Sequence, residues 1–102
     1  MNNNSPFKMQ SKSIYKIPNG KLLKIFLEFD ENKKLIKNIN ITGDFFAYPE
    51  EAIDILENEL INTSLNRNNL FDKINTIIIK NKIEFIGLNA EGLTEGILRC
   101  FS

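Results

Sequence analysis

Between Lys21 and Asp30, apolar and polar residues alternate with period two: Leu23, Ile25, Leu27 and Phe29 share one side, and Lys24, Glu28 and Asp30 the other. That period marks a strand buried on one face. Leu22 and Phe26 interrupt the polar side and predict partial cover there. The run Lys34 to Thr42 alternates in the same way, with Leu35, Ile39 and Ile41 opposite Asn38, Asn40 and Thr42. Lys37 falls on the apolar side near the strand's start, where its long stem reaches solvent. Upstream, Ile14, Tyr15 and Ile17 predict a short strand that stops at Pro18-Asn19-Gly20. The Asn-Gly pair predicts a type I′ hairpin, because both residues accept the positive φ it demands. Asp30-Glu31-Asn32-Lys33 reads as a polar turn. The three runs predict a three-stranded antiparallel meander with one face in need of a cover.

Beyond Pro49 the period lengthens to that of a helix. Pro49 suits a first helical turn, where its missing N–H costs nothing, and Glu50 and Glu51 complement the positive end of the helix dipole. Ala52, Ile53, Leu56 and Leu60 recur at helical spacing, with Asp54, Glu57 and Asn58 toward water and an end near Asn62. Thr63 to Asn69 is a polar connection with several N-cap candidates. Leu70, Phe71, Ile74, Ile77 and Ile78 repeat as a second amphipathic helix. The same region also reads as a hairpin around Lys80-Asn81, because Thr76-Ile77-Ile78-Ile79 and Lys82-Ile83-Glu84-Phe85 are rich in β-branched residues. Ile83 to Leu88 is a short apolar linker in either reading. Asn89 caps a last helix that runs to Phe101, with Leu93, Ile97, Cys100 and Phe101 as its buried stripe. Gly92 and Gly96 each cost that helix about 1 kcal/mol relative to alanine; glycines four apart also let a neighbour's backbone come close. The expected class is α+β, the meander being covered on one face by about three helices. Residues 1–12, rich in Asn, Ser, Lys and Gln, read as a flexible tail, and 13–102 as a single domain.

Meander and helices meet in the stretch Ile39 to Glu51. An alternating strand breaks at Gly43, three aromatics (Phe45, Phe46, Tyr48) follow almost at once, and a helix starts at Pro49 before two acids. A strand-to-helix corner does not need three aromatics merely to turn. Either all three anchor the core or the loop, or one packs inward while another faces a partner. Asp44, beside Gly43, likewise either caps the corner or the following helix, or belongs to a contact surface.

Composition narrows the chemistry. At 102 residues the chain makes one domain with a modest core. Lys and Arg total 13, as do Asp and Glu, so no net field drives it onto nucleic acid or an anionic membrane. There is no histidine, the commonest general base and metal ligand. The single cysteine, Cys100, forms neither an internal disulfide nor a thiolate metal site. On an apolar helix stripe it reads as a buried inert thiol, with a sulfur or persulfide carrier as the alternative. A run of about 18 apolar residues, enough to span a membrane, is missing, and the polar N-terminus is unlike a signal sequence. A soluble, cytoplasmic protein is the expectation. Neither a Walker pattern nor G-x-G-x-x-G is present. Asp30/Glu31 and Glu50/Glu51 read as a solvated turn and a helix start, and Lys21 and Lys24 as exposed strand lysines able to meet a phosphate or an acidic partner. The residues describe a small α+β module without an active site of its own.

Gly20-Lys21-Leu22-Leu23-Lys24, then Ile41-Thr42-Gly43-Asp44-Phe45-Phe46 running into Tyr48-Pro49-Glu50-Glu51 and a helix, resemble the accessory (C-terminal) domain of lipoate–protein ligases. Ile86-Gly87-Leu88-Asn89-Ala90-Glu91-Gly92-Leu93 is similar to the start of that family's last helix. The resemblance covers Ser13 to Phe101, and its sharpest motif is the corner. It implies a fold like that of iron–sulfur scaffold and sulfur-acceptor proteins, although those need exposed loop cysteines, which this sequence lacks. In that family the domain is fused behind a catalytic domain or supplied as a separate small protein, and this chain resembles the separate form. The resemblance implies a heterodimer with a lipoate–protein ligase catalytic subunit. That subunit converts lipoate to lipoyl-AMP with ATP, then passes the lipoyl group to a lysine of an acceptor domain. ATP, Mg and lipoate would be held by the partner, and the accessory chain would be needed for the activation step. The partner surface implied here is Gly43, Asp44, Phe45, Phe46, Tyr48 and Pro49, with Lys21 added. Gly43 would let the backbone turn, Asp44 would fix the corner by hydrogen bonds, and the aromatics would anchor the contact.

Overall fold

The computed structural model describes residues 8–101. Strands β1 (Lys8–Lys16), β2 (Leu22–Asp30) and β3 (Leu35–Gly43) form an antiparallel sheet in the order β1-β2-β3. The expected meander is there, with three differences of detail. Its first strand begins at Lys8 and pairs at once, Lys8 opposite Asp30, so residues 8–12 are sheet rather than tail; residues 1–7 of the expected tail lie outside the described residues. The polar composition of 8–12 reflects an edge strand whose outward row, including Lys8, Gln10 and Lys12, faces water. Lysines on an edge discourage unwanted strand pairing. The β1–β2 connection is also not a type I′ turn. Gly20 N–H donates to the Ile17 carbonyl at 2.8 Å across Pro18 and Asn19, and Asn19 takes φ 57°. Proline followed by a residue at positive φ is the arrangement of a type II turn.

The third difference is a bulge. Glu28 pairs with Asn38 but Phe29 pairs with Ile36, which leaves Lys37 without a partner across the ladder. The extra residue shifts the phase of β3. Ile36, Ile39 and Ile41 are buried, Lys37 is turned out to donate to Asn62 Oδ1 at 3.1 Å, and Leu35 is only half-buried. The row opposite them on β2, Leu23, Ile25, Leu27 and Phe29, is buried as the alternation predicts.

Three helices cover this face: α1 (Ala52–Glu59), α2 (Arg67–Lys80) and α3 (Ala90–Phe101). Helix α1 starts after a turn over Pro49 and stops before Asn62, which takes φ 68° and breaks the helical path. Glu57, expected in water, is half-buried and accepts a hydrogen bond from Ile41 N–H at 2.8 Å. The same open edge of β3 is closed further along by Ile36 N–H on the Thr63 carbonyl and Asn62 N–H on the Ile36 carbonyl. Helix α2 is continuous, so the hairpin around Lys80-Asn81 does not form. Asn66 caps α2 by accepting from Asn68 N–H and Asn69 N–H, and Leu70, Ile74 and Ile77 point inward. Asn89 Oδ1 caps α3 through Gly92 N–H at 2.6 Å.

Helix α3 lies beneath β1 and β2, and its glycines are what let it approach. A Cβ at Gly96 would come within 2.6 Å of Leu23 Cδ2, and one at Gly92 within 3.2 Å of Ile17 Cγ2. The close neighbour is therefore the sheet. Leu23, Leu27, Ile36, Leu56, Leu60, Leu70, Ile74, Leu93 and Ile97 have no exposed surface. Each such side chain contributes about 1.5–3 kcal/mol by leaving water.

Candidate functional site: an apolar ribbon beside the glycine corner

Two further strands, β4 (Phe46–Tyr48) and β5 (Glu84–Ile86), form an antiparallel ribbon separate from the meander. Phe46 faces Ile86, Ala47 faces Phe85 and Tyr48 faces Glu84. The aromatic corner thus contains a strand, and the apolar linker after α2 is its partner. Side chains alternate across the ribbon. Ala47 and Phe85 turn to the core, while Phe46, Tyr48 and Ile86 turn to solvent at 72%, 70% and 70% exposure. Three large apolar side chains on one short face make a contiguous patch, which marks an interaction surface more strongly than scattered single residues do.

The ribbon is tied to the meander at one point. Asp44 N–H donates to the Leu22 carbonyl at 3.1 Å, and Lys21 N–H donates to the Gly87 carbonyl at 3.1 Å. Consecutive residues of β2's start thereby hold the end of β3 and the end of β5. Gly43 is required there, because a Cβ would collide with the Leu22 carbonyl oxygen. Phe45 is half-buried and meets Phe85 edge to face, with ring centroids 6.5 Å apart and planes at 87°. It fixes the ribbon to the core and offers little outward surface.

Of the seven residues singled out from sequence, the structure gathers Lys21, Gly43, Asp44 and Phe45 at this junction and puts Phe46, Tyr48 and Pro49 along the ribbon. Lys21 and Asp44 are exposed and Pro49 is half-buried behind a cis Tyr48–Pro49 bond. Asp44 holds the corner through its main chain; among the described residues its carboxylate makes no hydrogen bond. Ile86 completes the apolar row and was not singled out from sequence. Its only local signal is the alternation of Ile83 and Phe85 with Glu84 and Ile86, which reads inward for the first pair once β5 is paired.

The chemistry on offer is contact. Among the described residues no group of three His, Cys, Asp or Glu side chains gathers to hold a metal. Cys100 is buried against the Ile25 and Gly96 carbonyls, each 3.8 Å from Sγ. Burial pushes its thiol pKa up, with the Ser13 hydroxyl acting in the opposite direction. A shielded, protonated thiol is a poor nucleophile, which speaks against a sulfur-carrier role. Among the described residues no helix is long and apolar enough to cross a membrane.

Comparison with known proteins agrees with this architecture. The family model described as bacterial lipoate protein ligase C-terminus matches residues 9–97. Lipoate-protein ligase A subunit 2 of Thermoplasma acidophilum is 42% identical over 57 residues, 56% of this chain and 52% of that protein. The chain thus matches about half the length of this curated relative. A solved chain from an archaeal lipoylation system, a bi-partite lipoate protein ligase and its E2 lipoyl domain from T. acidophilum, superposes with a TM-score of 0.74. The superposition covers 88% of this chain and 96% of that one at 27% identity.

Proposed function

Because the chain belongs to the bacterial lipoate protein ligase C-terminus family, we propose that it is the non-catalytic subunit of a two-part lipoate–protein ligase. In this reading it docks on a separate catalytic chain and enables activation of lipoate. The lipoate carboxylate attacks the α-phosphorus of ATP, pyrophosphate leaves and lipoyl-AMP forms; an acceptor lysine then takes the lipoyl group and AMP is released. In the same reading ATP, Mg and lipoate bind the catalytic chain. The reaction belongs in the cytoplasm.

The observation that carries the proposal is the outward row of Phe46, Tyr48 and Ile86 on a strand pair that the described residues leave uncovered. Aromatic and aliphatic anchors at the centre of a protein interface supply most of its binding energy. The ribbon is the docking edge, and the junction of Lys21, Gly43 and Asp44 sets its angle to the meander. Contact there orders the catalytic chain, which is how a subunit without reacting groups can be required for chemistry.

The test is to co-express this chain with a catalytic subunit from the same genome and measure lipoate-dependent pyrophosphate release with and without it. Release only from the pair supports the proposal. Equal release from the catalytic chain alone, with no co-elution of the two, would falsify it.

A further inference from the structure

The outward face of the ribbon presents four side chains, and one of them is charged. Phe46 stands opposite Ile86 and Tyr48 opposite Glu84, so the four form two cross-strand pairs on one side. Ala47 and Phe85, between them, turn inward. Glu84 is exposed like its three neighbours. Directly opposed residues of an antiparallel pair have Cβ atoms about 5 Å apart. A surface that covers Phe46, Tyr48 and Ile86 therefore covers Glu84 as well.

The chain itself does not neutralise that carboxylate. Among the described residues Glu84 takes part in no ion pair. Lys80 is engaged with Glu59 at 3.0 Å. Lys82 stands in the turn before β5 at φ 52° and also forms no ion pair. Glu50 and Glu51, both exposed, follow Tyr48 and Pro49 along the chain and make this end of the ribbon more negative. The other end, at the glycine corner, carries Lys21 and Asp44, one charge of each sign. The row thus has an apolar end, Phe46 with Ile86, and an acidic end, Tyr48 with Glu84. Glutamate is depleted at the centres of protein interfaces, because a desolvated carboxylate is costly unless a donor meets it. A charge set among three apolar anchors constrains the chemistry of whatever covers them.

We propose that Glu84 is the specificity-determining residue of the docking row, met in the complex by a lysine or arginine of the catalytic chain. The inference rests on the reading of this chain as the accessory subunit of a two-part ligase. To that reading it adds the polarity of the contact: an apolar surface lies against Phe46 and Ile86, and a cation lies between Tyr48 and Glu84. The Tyr48 ring, directly opposite Glu84, offers its face to the same cation. The pairing fixes which way round the ribbon docks. Turned by half a revolution, the same row would bury its carboxylate against apolar side chains and leave the partner's cation unmatched.

The experiment titrates this chain into the catalytic subunit from the same genome by calorimetry, at low and at high salt. Glu84→Gln keeps the shape of the side chain and removes its charge, and Glu84→Lys reverses the charge. The site is exposed, so the melting temperature of each variant should match that of the parent. The Kd should rise about tenfold or more for E84Q and further for E84K. The E84Q complex should also respond less to salt than the parent complex does. Reversing one lysine or arginine of the catalytic chain to glutamate should restore binding of E84K. Parent-like or tighter binding by E84Q overturns the inference, because the carboxylate then stays in water or is buried unpaired, and leaves the accessory-subunit reading intact. Sedimentation of this chain alone covers the remaining occupant. Self-association that E84Q abolishes, with the Kd for the catalytic chain unchanged, assigns Glu84 to a second copy and also overturns the inference. Failure of the unaltered chains to bind is a failure of the accessory-subunit reading, and the inference falls with it.

Discussion

In the meander, every second residue of β2 points under the helices, and Leu23 and Leu27 have no exposed surface. In the ribbon of β4 and β5, alternation runs the same way, yet the outward row is Phe46, Tyr48 and Ile86 with one charge, Glu84. One sheet hides its apolar side and the other displays it. The meander's residues stabilise the folded chain. The ribbon's outer row contributes nothing of the kind, since it stays in water, and its apolar character makes physical sense against another surface. On the proposed reading, stability and docking are carried by different residues of one small domain.

The sharpest way to break that division is to weaken the core and ask whether docking survives. Leu27→Ala removes a fully buried side chain beneath the helices and should cost about 2–5 kcal/mol through lost burial and the cavity left behind. Urea unfolding would show a lower midpoint with little change in slope. Below its melting temperature the variant should still bind the catalytic chain with near-normal affinity. Weak binding from a demonstrably folded Leu27→Ala chain would mean that core and ribbon are not separable.

The converse variant leaves the core alone. Phe46→Ser with Ile86→Ser removes a directly opposed exposed pair and should change stability by no more than about 0.5 kcal/mol per site, as exposed substitutions do. Binding to the catalytic chain should fall by about 2 kcal/mol or more, roughly thirtyfold in Kd, which titration calorimetry resolves. Undiminished affinity would assign docking to another face and leave the ribbon's outward row without a role.

The two sheets also differ in how much of them could be read from residues alone. The meander was legible because its pattern is local: period-two runs are separated by turn residues, and each strand pairs with its neighbour in sequence. The placement of Leu35 instead of Ile36 in the core came from a bulge at Lys37 that a strict alternation cannot express. The ribbon was illegible as a ribbon because residues 46–48 pair with 84–86 across two intervening helices. Three residues are too few to show a period, so β4 passed for a corner and β5 for a linker. Phe46 and Tyr48 could still be suspected as partner-facing, since the corner held more aromatics than a turn requires. Ile86 could not, because its exposure follows from pairing with Phe46.

The smallest expected effect lies at the turn between β2 and β3, the end of the meander away from the ribbon. Asp30 Oδ1 accepts from Lys33 N–H and Asn32 N–H, each at 2.9 Å. The main-chain N–H of Lys33, followed by that of Asn32 and the nearby lysine charges, holds the carboxyl pKa below its usual value. A carboxylate with a lowered pKa in the folded state stabilises that state above its unfolded pKa, and the contribution disappears as pH falls through the folded one. Because the group is solvent-exposed, the effect is small. Asp30→Ala should be slightly less stable than the parent at neutral pH, and the gap should narrow as the solution is acidified below the ordinary carboxylate range. Thermal melts across that range, on parent and variant together, would measure it. Docking should be indifferent to the substitution at every pH where both chains are folded, since the turn does not touch the ribbon. A variant that keeps its stability but loses partner binding would place a contact at the wrong end of the sheet, and the separation of roles between meander and ribbon would fall with it.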